Sequence, residues 1–140
     1  MANIVPDSFK QELFLATHNF NTTSGNTFKL ALYTTVSGFS TGTTNYITTN
    51  EASGTGYSAG GTTLVNSTVT VAQNISFVSF SNATFSTATL TASCCLIYNS
   101  TQSNKAVVVL DFGGSKTSTN GDFTIQFPTA NSTSAVLRIS

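Results

Sequence analysis

The sequence predicts an all-β fold, a jelly-roll-like β-sandwich of about eight short strands preceded by one short N-terminal helix. Threonine, which is β-branched and suits strands, occurs 26 times in 140 residues. Eleven phenylalanines are spread along the chain in short apolar runs, and glycine or asparagine pairs separate these runs as turns separate strands. We expect a single domain over residues 1–140, with a helical segment at 1–18 and the sandwich at 27–140.

The helix is predicted from residue spacing near the N-terminus. Ser8 and Gln11 have the spacing of a capping box. Phe9 and Leu13 fall on one helical face, and Phe14 points about 100° away from Leu13 around the axis. We therefore expect about three turns in which Phe9 and Leu13 pack on the sandwich and Phe14 contacts a neighbouring subunit. The alternative is an ordinary helix that closes one end of the core.

Alternation of apolar and polar residues predicts the strands. The first strand is expected at residues 28–34, where Phe28, Leu30 and Leu32 share one face. Further strands are expected near residues 63–65, 68–72, 75–80, 88–98, 106–112, 123–127 and 135–139. Residues 106–112 are almost wholly apolar, which predicts a central strand buried on both faces. Asn120 and Gly121 are typical of a hairpin turn before the next strand.

Charge and cysteine content argue against several classes of protein. Only 7% of residues are charged, and five basic residues balance five acidic ones, so we expect neither a nucleic-acid partner nor a basic membrane-binding surface. No apolar run is long enough for a membrane span, and residues 1–7 do not resemble a signal peptide. Cys94 and Cys95 are consecutive and should point to opposite faces of a strand, which predicts two buried free thiols.

The residues that could perform catalysis are few and scattered. His18 is the only histidine, no Gly-x-Ser-x-Gly elbow is present, and we interpret His18 as a residue at the helix end that favours the helix dipole. Asp111 and Asp122 suit strand-end or turn hydrogen bonds. No spacing of cysteine, histidine or acidic residues is typical of a metal site. The sequence therefore predicts a protein that is not an enzyme, with no catalytic residues, no metal and no cofactor.

A glycine-rich segment around one acidic residue is the most distinctive local feature. We predict that Glu51 accepts hydrogen bonds from backbone N–H groups and so fixes a structural loop. The residues assigned to this loop are Asn50, Glu51, Gly54, Gly56, Tyr57, Gly60 and Gly61. A phosphate-binding function is not indicated, because no Gly-Lys-Ser/Thr ending and no helix follow the glycines.

The chain resembles a family of small structural proteins of tailed bacteriophages over nearly its whole length. The resemblance lies in residues 28–34, 49–51, 53–57, 59–61, Leu64, 96–99, 104–107, 110–113 and 120–128. The chain departs from the family pattern in having no tryptophan, and in having Ala-Ser-Cys-Cys at residues 92–95 where the family has Ala-Arg-Gly.

Within that family the chain is most similar to the β-sandwich cement proteins of short-tailed phages, notably cyanophages. This resemblance implies a decoration protein that binds the major capsid protein on the outer surface of the virion. It also implies a homotrimer, assembled in the cytoplasm of the bacterial host. Such a protein would bridge capsid subunits and stabilise the DNA-filled head without catalysis.

A second hypothesis is a domain of the tail or fibre that binds a glycan of the host surface. Tyrosine rings can stack on sugars, and the chain has four tyrosines, namely Tyr33, Tyr46, Tyr57 and Tyr98. The alternative interpretation is that these tyrosines cap the hydrophobic core. Copy number in the virion separates the two functions, because a cement protein is abundant and a tail protein is not.

Overall fold

The structure, a computed structural model, describes residues 3–140, so Met1 and Ala2 of the expected N-terminal segment lie outside the described residues. It contains one helix, α1 (Asp7–Phe14), and one 3₁₀ turn (Ser100–Gln102). Its seven strands are β1 (Phe28–Tyr33), β2 (Thr62–Thr63), β3 (Thr70–Ala72), β4 (Ile75–Val78), β5 (Ala83–Asn99), β6 (Lys105–Ile125) and β7 (Leu137–Ile139). The prediction of an all-β fold with one short helix is confirmed.

The strands form two antiparallel sheets. One has the order β2-β1-β5-β6 and the other has the order β3-β4-β7. Leu30 of β1 and Val78 of β4 belong to one cluster of buried side chains, so the two sheets share a core. The opposite face of the four-stranded sheet carries a second cluster, in which Tyr33 packs edge-on against Phe39. The larger sheet is thus covered on both faces.

The two cysteines show how one strand supplies both clusters. Cys94 lies in the second cluster and Cys95 in the first, because consecutive strand residues point to opposite faces. Both are buried and neither forms a disulfide. Burial raises the pKa of the Cys94 thiol to about 11 and raises that of Cys95 as well.

The prediction of a hairpin turn at Asn120 and Gly121 is wrong. Both residues lie inside β6, which continues from Lys105 to Ile125 and pairs with β5 along its length. The register between β5 and β6 shifts beside Ala88, which pairs with Gly121. Asn120 has a φ of 52°, a conformation that serves a β-bulge as well as a turn. Gly113 also has a positive φ, of 77°, and lies beside another register shift in this strand.

The expectation that residues 106–112 form a central strand is also corrected. In the sheet order β6 is an outer strand, although residues 106–109 are buried on both faces. Its outer edge is covered by other parts of the chain. Ile4 exchanges two backbone hydrogen bonds with Val109, and the amide of Ala106 donates to the carbonyl of Thr44. Burial therefore comes from these flanking segments, which hide the edge as a further strand would.

The helix is shorter than predicted and is not capped by Ser8. It has eight residues, or about two turns, and no side chain caps its N-terminus. The Ser8 hydroxyl instead donates to the carbonyl of Thr43 at 3.2 Å, which fastens the helix to the loop before β2. The helix packs against the sandwich through Phe9, which is only 2% exposed, and Leu13 contacts the same cluster.

Candidate functional site

The glycine-rich loop lies along the edge of β1 that also pairs with β2. The amide of Ala52 donates to the carbonyl of Leu32, and the amide of Thr34 donates to the carbonyl of Asn50. Residues 50–52 therefore run beside β1, on the edge where β2 pairs with Lys29 and Leu30. This placement sets the Glu51 side chain beside the second cluster of buried residues.

Glu51 accepts hydrogen bonds at the centre of the loop. We call Glu51 and its three donors, Tyr46, Tyr57 and the Gly60 amide, the Glu51 centre. The Glu51 Oε1 accepts hydrogen bonds from the Tyr57 hydroxyl and from the Gly60 amide, each at 2.6 Å. Its Oε2 accepts one from the Tyr46 hydroxyl, also at 2.6 Å. The sequence-based expectation that Glu51 accepts backbone N–H groups is confirmed for Gly60. The two tyrosine donors, which were not predicted, tie the loop to the core.

The tyrosines extend this network into the sheet. The Tyr57 hydroxyl also accepts from the Leu32 amide, and the Tyr98 hydroxyl donates to the carbonyl of Gly60 at 2.6 Å. The ring of Tyr46 stacks on that of Tyr98 with centroids 4.9 Å apart. Burial, together with the neighbouring Glu51 carboxylate, raises the pKa of Tyr46, Tyr57 and Tyr98. These hydroxyls therefore stay protonated donors at any physiological pH.

Glycine is required where the loop crosses the strands. Gly61 has a φ of 75°, and a Cβ there would overlap the carbonyl oxygen of Leu30. Gly54 has a φ of 147°, and a Cβ there would overlap the carbonyl oxygen of Thr89. The glycines thus allow the loop backbone to lie directly on β1 and β5. Asn50 contributes a further positive φ of 63°.

The four tyrosines are engaged inside the protein. Tyr33 is 0% exposed and donates its hydroxyl to the carbonyl of Ile47, and Tyr98 is 3% exposed. Tyr46 and Tyr57 are half-buried with their hydroxyls on Glu51. Burial raises the pKa of Tyr33 too. These contacts match the interpretation of core-capping tyrosines, and the glycan hypothesis stays a prediction.

A second carboxylate, not singled out from the sequence, forms a buried cluster that we call the Glu12 centre. Glu12 of α1 meets the His18 imidazole, with Oε2 and Nε2 only 2.6 Å apart. The other ring nitrogen, Nδ1, lies 3.0 Å from the Asn99 amide nitrogen. Lys105 approaches the second Glu12 oxygen at 3.5 Å. The earlier interpretation of His18 as a helix-dipole residue is corrected, because its direct partner is a carboxylate.

The surroundings of His18 specify its protonation state. The Asn99 Oδ1 accepts from the amides of Thr101 and Gln102, so its NH₂ group faces His18 and donates to Nδ1. His18 is then neutral, with its proton on Nε2 directed at Glu12. Burial lowers the pKa of His18 more than the Glu12 carboxylate raises it. The Phe9 ring, with its centroid 4.9 Å away, covers the imidazole.

The side chains considered as catalytic candidates have other hydrogen-bond partners among residues 3–140. The His18 side chain is 0% exposed, and its partners among these residues are the Asn99 amide and the Glu12 carboxylate, neither of which is a nucleophile that a base could activate. Asp111 accepts from the Gly113 amide at 2.8 Å, as its turn interpretation predicted. Asp122 instead accepts from the amide of Thr87 across the strand pair. Within residues 3–140, no three His, Cys, Asp or Glu side chains converge on a possible metal position.

The apolar residues of the helical segment differ in exposure. Phe9 and Leu13 contact the core, whereas Phe14 is 94% exposed and Leu15 is 68% exposed. The contact of Phe14 with another subunit stays a prediction, but its side chain is available for one. Other large apolar residues with high exposure among residues 3–140 are Val65, Val69, Val71 and Ile139.

A sequence signal for the Glu12 centre was present but indirect. Glu12 lies between apolar positions of the helix, and Asn99 ends a run of buried strand residues. A polar residue at such a position needs a buried partner.

Within residues 3–140, no helix has the length and apolar character to cross a bilayer. Comparison of the chain with protein-family models, curated proteins and solved structures finds no match.

Proposed function

We propose that this protein is a non-enzymatic cement protein of a tailed-phage capsid, which binds the major capsid protein on the outer shell and bridges neighbouring subunits. The observation that carries this proposal is the contrast between a firmly bonded interior and an exposed apolar side chain. Phe14 is 94% exposed on a helix whose other side is fastened to the core. The resemblance of the sequence to phage cement proteins supports the same assignment.

The polar interior supports a structural role. The Glu51 and Glu12 carboxylates both accept hydrogen bonds from several chain segments and join loops or helix to the sheet. Among the described residues no buried side-chain nitrogen or oxygen lacks a hydrogen-bond partner. A satisfied polar interior gives a stiff module, and a stiff module transmits load between the proteins that it bridges.

The surface supports dense packing on a shell. Residues 113–122 of β6 are largely exposed and consist mostly of glycine, serine, threonine and asparagine. A surface with hydroxyl groups and few charges allows close neighbours without strong repulsion, and it lacks the basic character that attracts DNA. Each copy would add a modest interface, and symmetry would make several such contacts act together.

The test compares virions with and without the protein. Phage carrying a deletion of this gene should release DNA at a lower temperature, or after a milder salt stress, than wild-type phage. Expression of the wild-type chain in the host should restore stability, and its copy number should be comparable with that of the capsid protein. Equal stability of the two virions, or only a few copies per particle, would contradict the cement role.

The predicted interface is tested in the same assay. Complementation with Phe14→Ser should fail to restore stability, because an exposed aromatic contact is lost. Thr119→Ala, an exposed change on β6, serves as the matched control. If F14S protein is incorporated and protects virions as well as wild type, Phe14 is not at the interface.

A further inference from the structure

An apolar groove lies between α1 and the three-stranded sheet. Its walls come from Phe9 and Leu13 on the helix side and from β4 and β7 on the sheet side. The groove encloses about 340 Å³, which is at the small end of the range of roughly 300–1,000 Å³ for ligand pockets. Glu51, Glu12 and His18 do not line it, although Phe9 lies between the groove and His18.

The lining of the groove is almost entirely hydrocarbon. Nine of its twelve lining residues are apolar, and the remaining three are Lys10, Ser76 and Arg138. The walls mix aliphatic side chains such as Leu137 with the rings of Phe9 and Phe77. Such a wall favours an apolar ligand, and a flexible alkyl chain can follow the space between a helix and a sheet.

The two charged residues that line the groove are both cationic. Lys10 and Arg138 are two of the five cationic residues of the chain, and no carboxylate is among the lining residues. Lys10 pairs with Asp7 at 2.9 Å, on the exposed side of the helix. Arg138 donates one hydrogen bond to the carbonyl of Ser132, and it forms no ion pair with any residue in the range 3–140. Because Arg138 lines the groove and carries a guanidinium that has no ion pair among these residues, it matches a carboxylate ligand.

We infer that this groove binds a medium-chain fatty acid, with the alkyl chain between α1 and the sheet and the carboxylate on Arg138. The hydrocarbon lining selects the chain, and the charge complementarity selects the anionic head. Lys10 adds a weaker attraction, because Asp7 already neutralises it in part. This inference goes beyond the capsid role and does not depend on it.

The test is calorimetric titration of the purified wild-type chain with sodium octanoate, decanoate and dodecanoate below their micelle concentrations. Affinity should rise about three- to fourfold for each added methylene, because each buries further apolar surface. Decyltrimethylammonium, which has a cationic head on the same chain, should bind more weakly than decanoate. Higher salt should weaken the binding of decanoate.

Variants locate the ligand. Arg138→Gln should weaken decanoate binding about tenfold at low salt, whereas Lys116→Gln, an exposed change outside the groove, should not alter it. Val69→Glu places a carboxylate at the groove and should abolish binding. Val65→Glu is its matched control, because Val65 is also exposed but does not line the groove. Circular dichroism would verify that each variant is folded.

Three results would overturn the proposal. The first is an absence of decanoate binding to the wild-type chain, and the second is equal binding by V69E and V65E. The third is a wild-type oligomer in sedimentation that excludes decanoate and that V69E dissociates, since a second copy of the chain would then occupy the groove. Virions that are stable without the protein would refute the cement role and leave these measurements unaffected.

Discussion

The Glu51 centre and the Glu12 centre both join chain segments through a glutamate carboxylate, but the partners of the two carboxylates differ. Glu51 accepts from two tyrosine hydroxyls and one amide, whereas Glu12 meets the imidazole of His18. Burial raises the tyrosine pKa values, so those donors keep their protons at any physiological pH. Burial lowers the pKa of His18 below its ordinary value of 6.5, so this partner gains a charge only below that pH. The two centres therefore differ in whether the hydrogen-bond donor can change its charge on the acid side of neutrality.

The largest effect should follow from removal of the Glu51 carboxylate. Glu51→Ala leaves two tyrosine hydroxyls and the Gly60 amide without their acceptor, which should lower the free energy of unfolding by about 3–5 kcal/mol. Urea denaturation at pH 7.5 would measure this loss. Asp7→Ala, which removes an exposed carboxylate from a surface ion pair, should cost less than about 1 kcal/mol. A comparable cost for the two variants would refute the central role of Glu51.

The second effect concerns the backbone that brings the loop to Glu51. Gly61→Ala combines a positive φ with a clash against the Leu30 carbonyl, and it should cost about 3 kcal/mol. Gly42→Ala is a suitable control, since its added Cβ would meet only the Ser40 hydroxyl, at 3.5 Å. Thermal melting of both variants would check this. A G61A protein as stable as G42A would mean that the loop does not lie on β1.

The third prediction tests the pH response of the Glu12 centre. The pKa of His18 is lowered in the folded protein from an ordinary value of 6.5, so the unfolded chain binds more protons below that pH. Above pH 6.5 the titration of His18 does not lower the free energy of unfolding. Below pH 6.5 this free energy falls as the pH falls, by at most about 1.4 kcal/mol per pH unit. A proton added to Nδ1 would face the NH₂ group of Asn99. The Glu12 carboxylate would favour the added charge, whereas the Lys105 ammonium, which is also cationic, would oppose it.

His18→Gln isolates this response. A glutamine can donate to Glu12 and accept from Asn99 without titrating, so the variant should lose less stability between pH 7 and pH 5 than the wild type does. The same difference should persist in the E51A background, because the two centres act separately. Parallel pH profiles for the wild type and H18Q would show that His18 does not cause the response.

The smallest effect concerns the two cysteines, which lie on opposite faces of β5. Both thiols are buried with raised pKa values, so native protein should react very slowly with a thiol reagent. After denaturation without a reductant, titration should find both thiols free. Rapid reaction of the native chain would indicate that β5 opens, and a lack of free thiols would contradict assembly in a reducing cytoplasm.

Local sequence patterns determined much of this fold. Alternation at residues 28–34 correctly predicted β1 and its buried face, because side-chain direction on a strand has a period of two. Glycines near Glu51 lie where positive φ and close backbone approach restrict the choice of residue. The opposed placement of Cys94 and Cys95 followed from adjacency alone.

Tertiary structure decided what local patterns leave open. Asn120 and Gly121 suit a hairpin turn and a bulge equally, and only the continuous partner strand β5 made them part of β6. Burial of residues 106–109 required cover from Ile4 and from the loop at Thr44, which no local pattern specifies. His18 and Asn99 lie 81 positions apart, yet they meet because α1 and β5 converge. Hydrogen-bond partners in a core depend on such convergence, and the sequence shows only which residues need a partner.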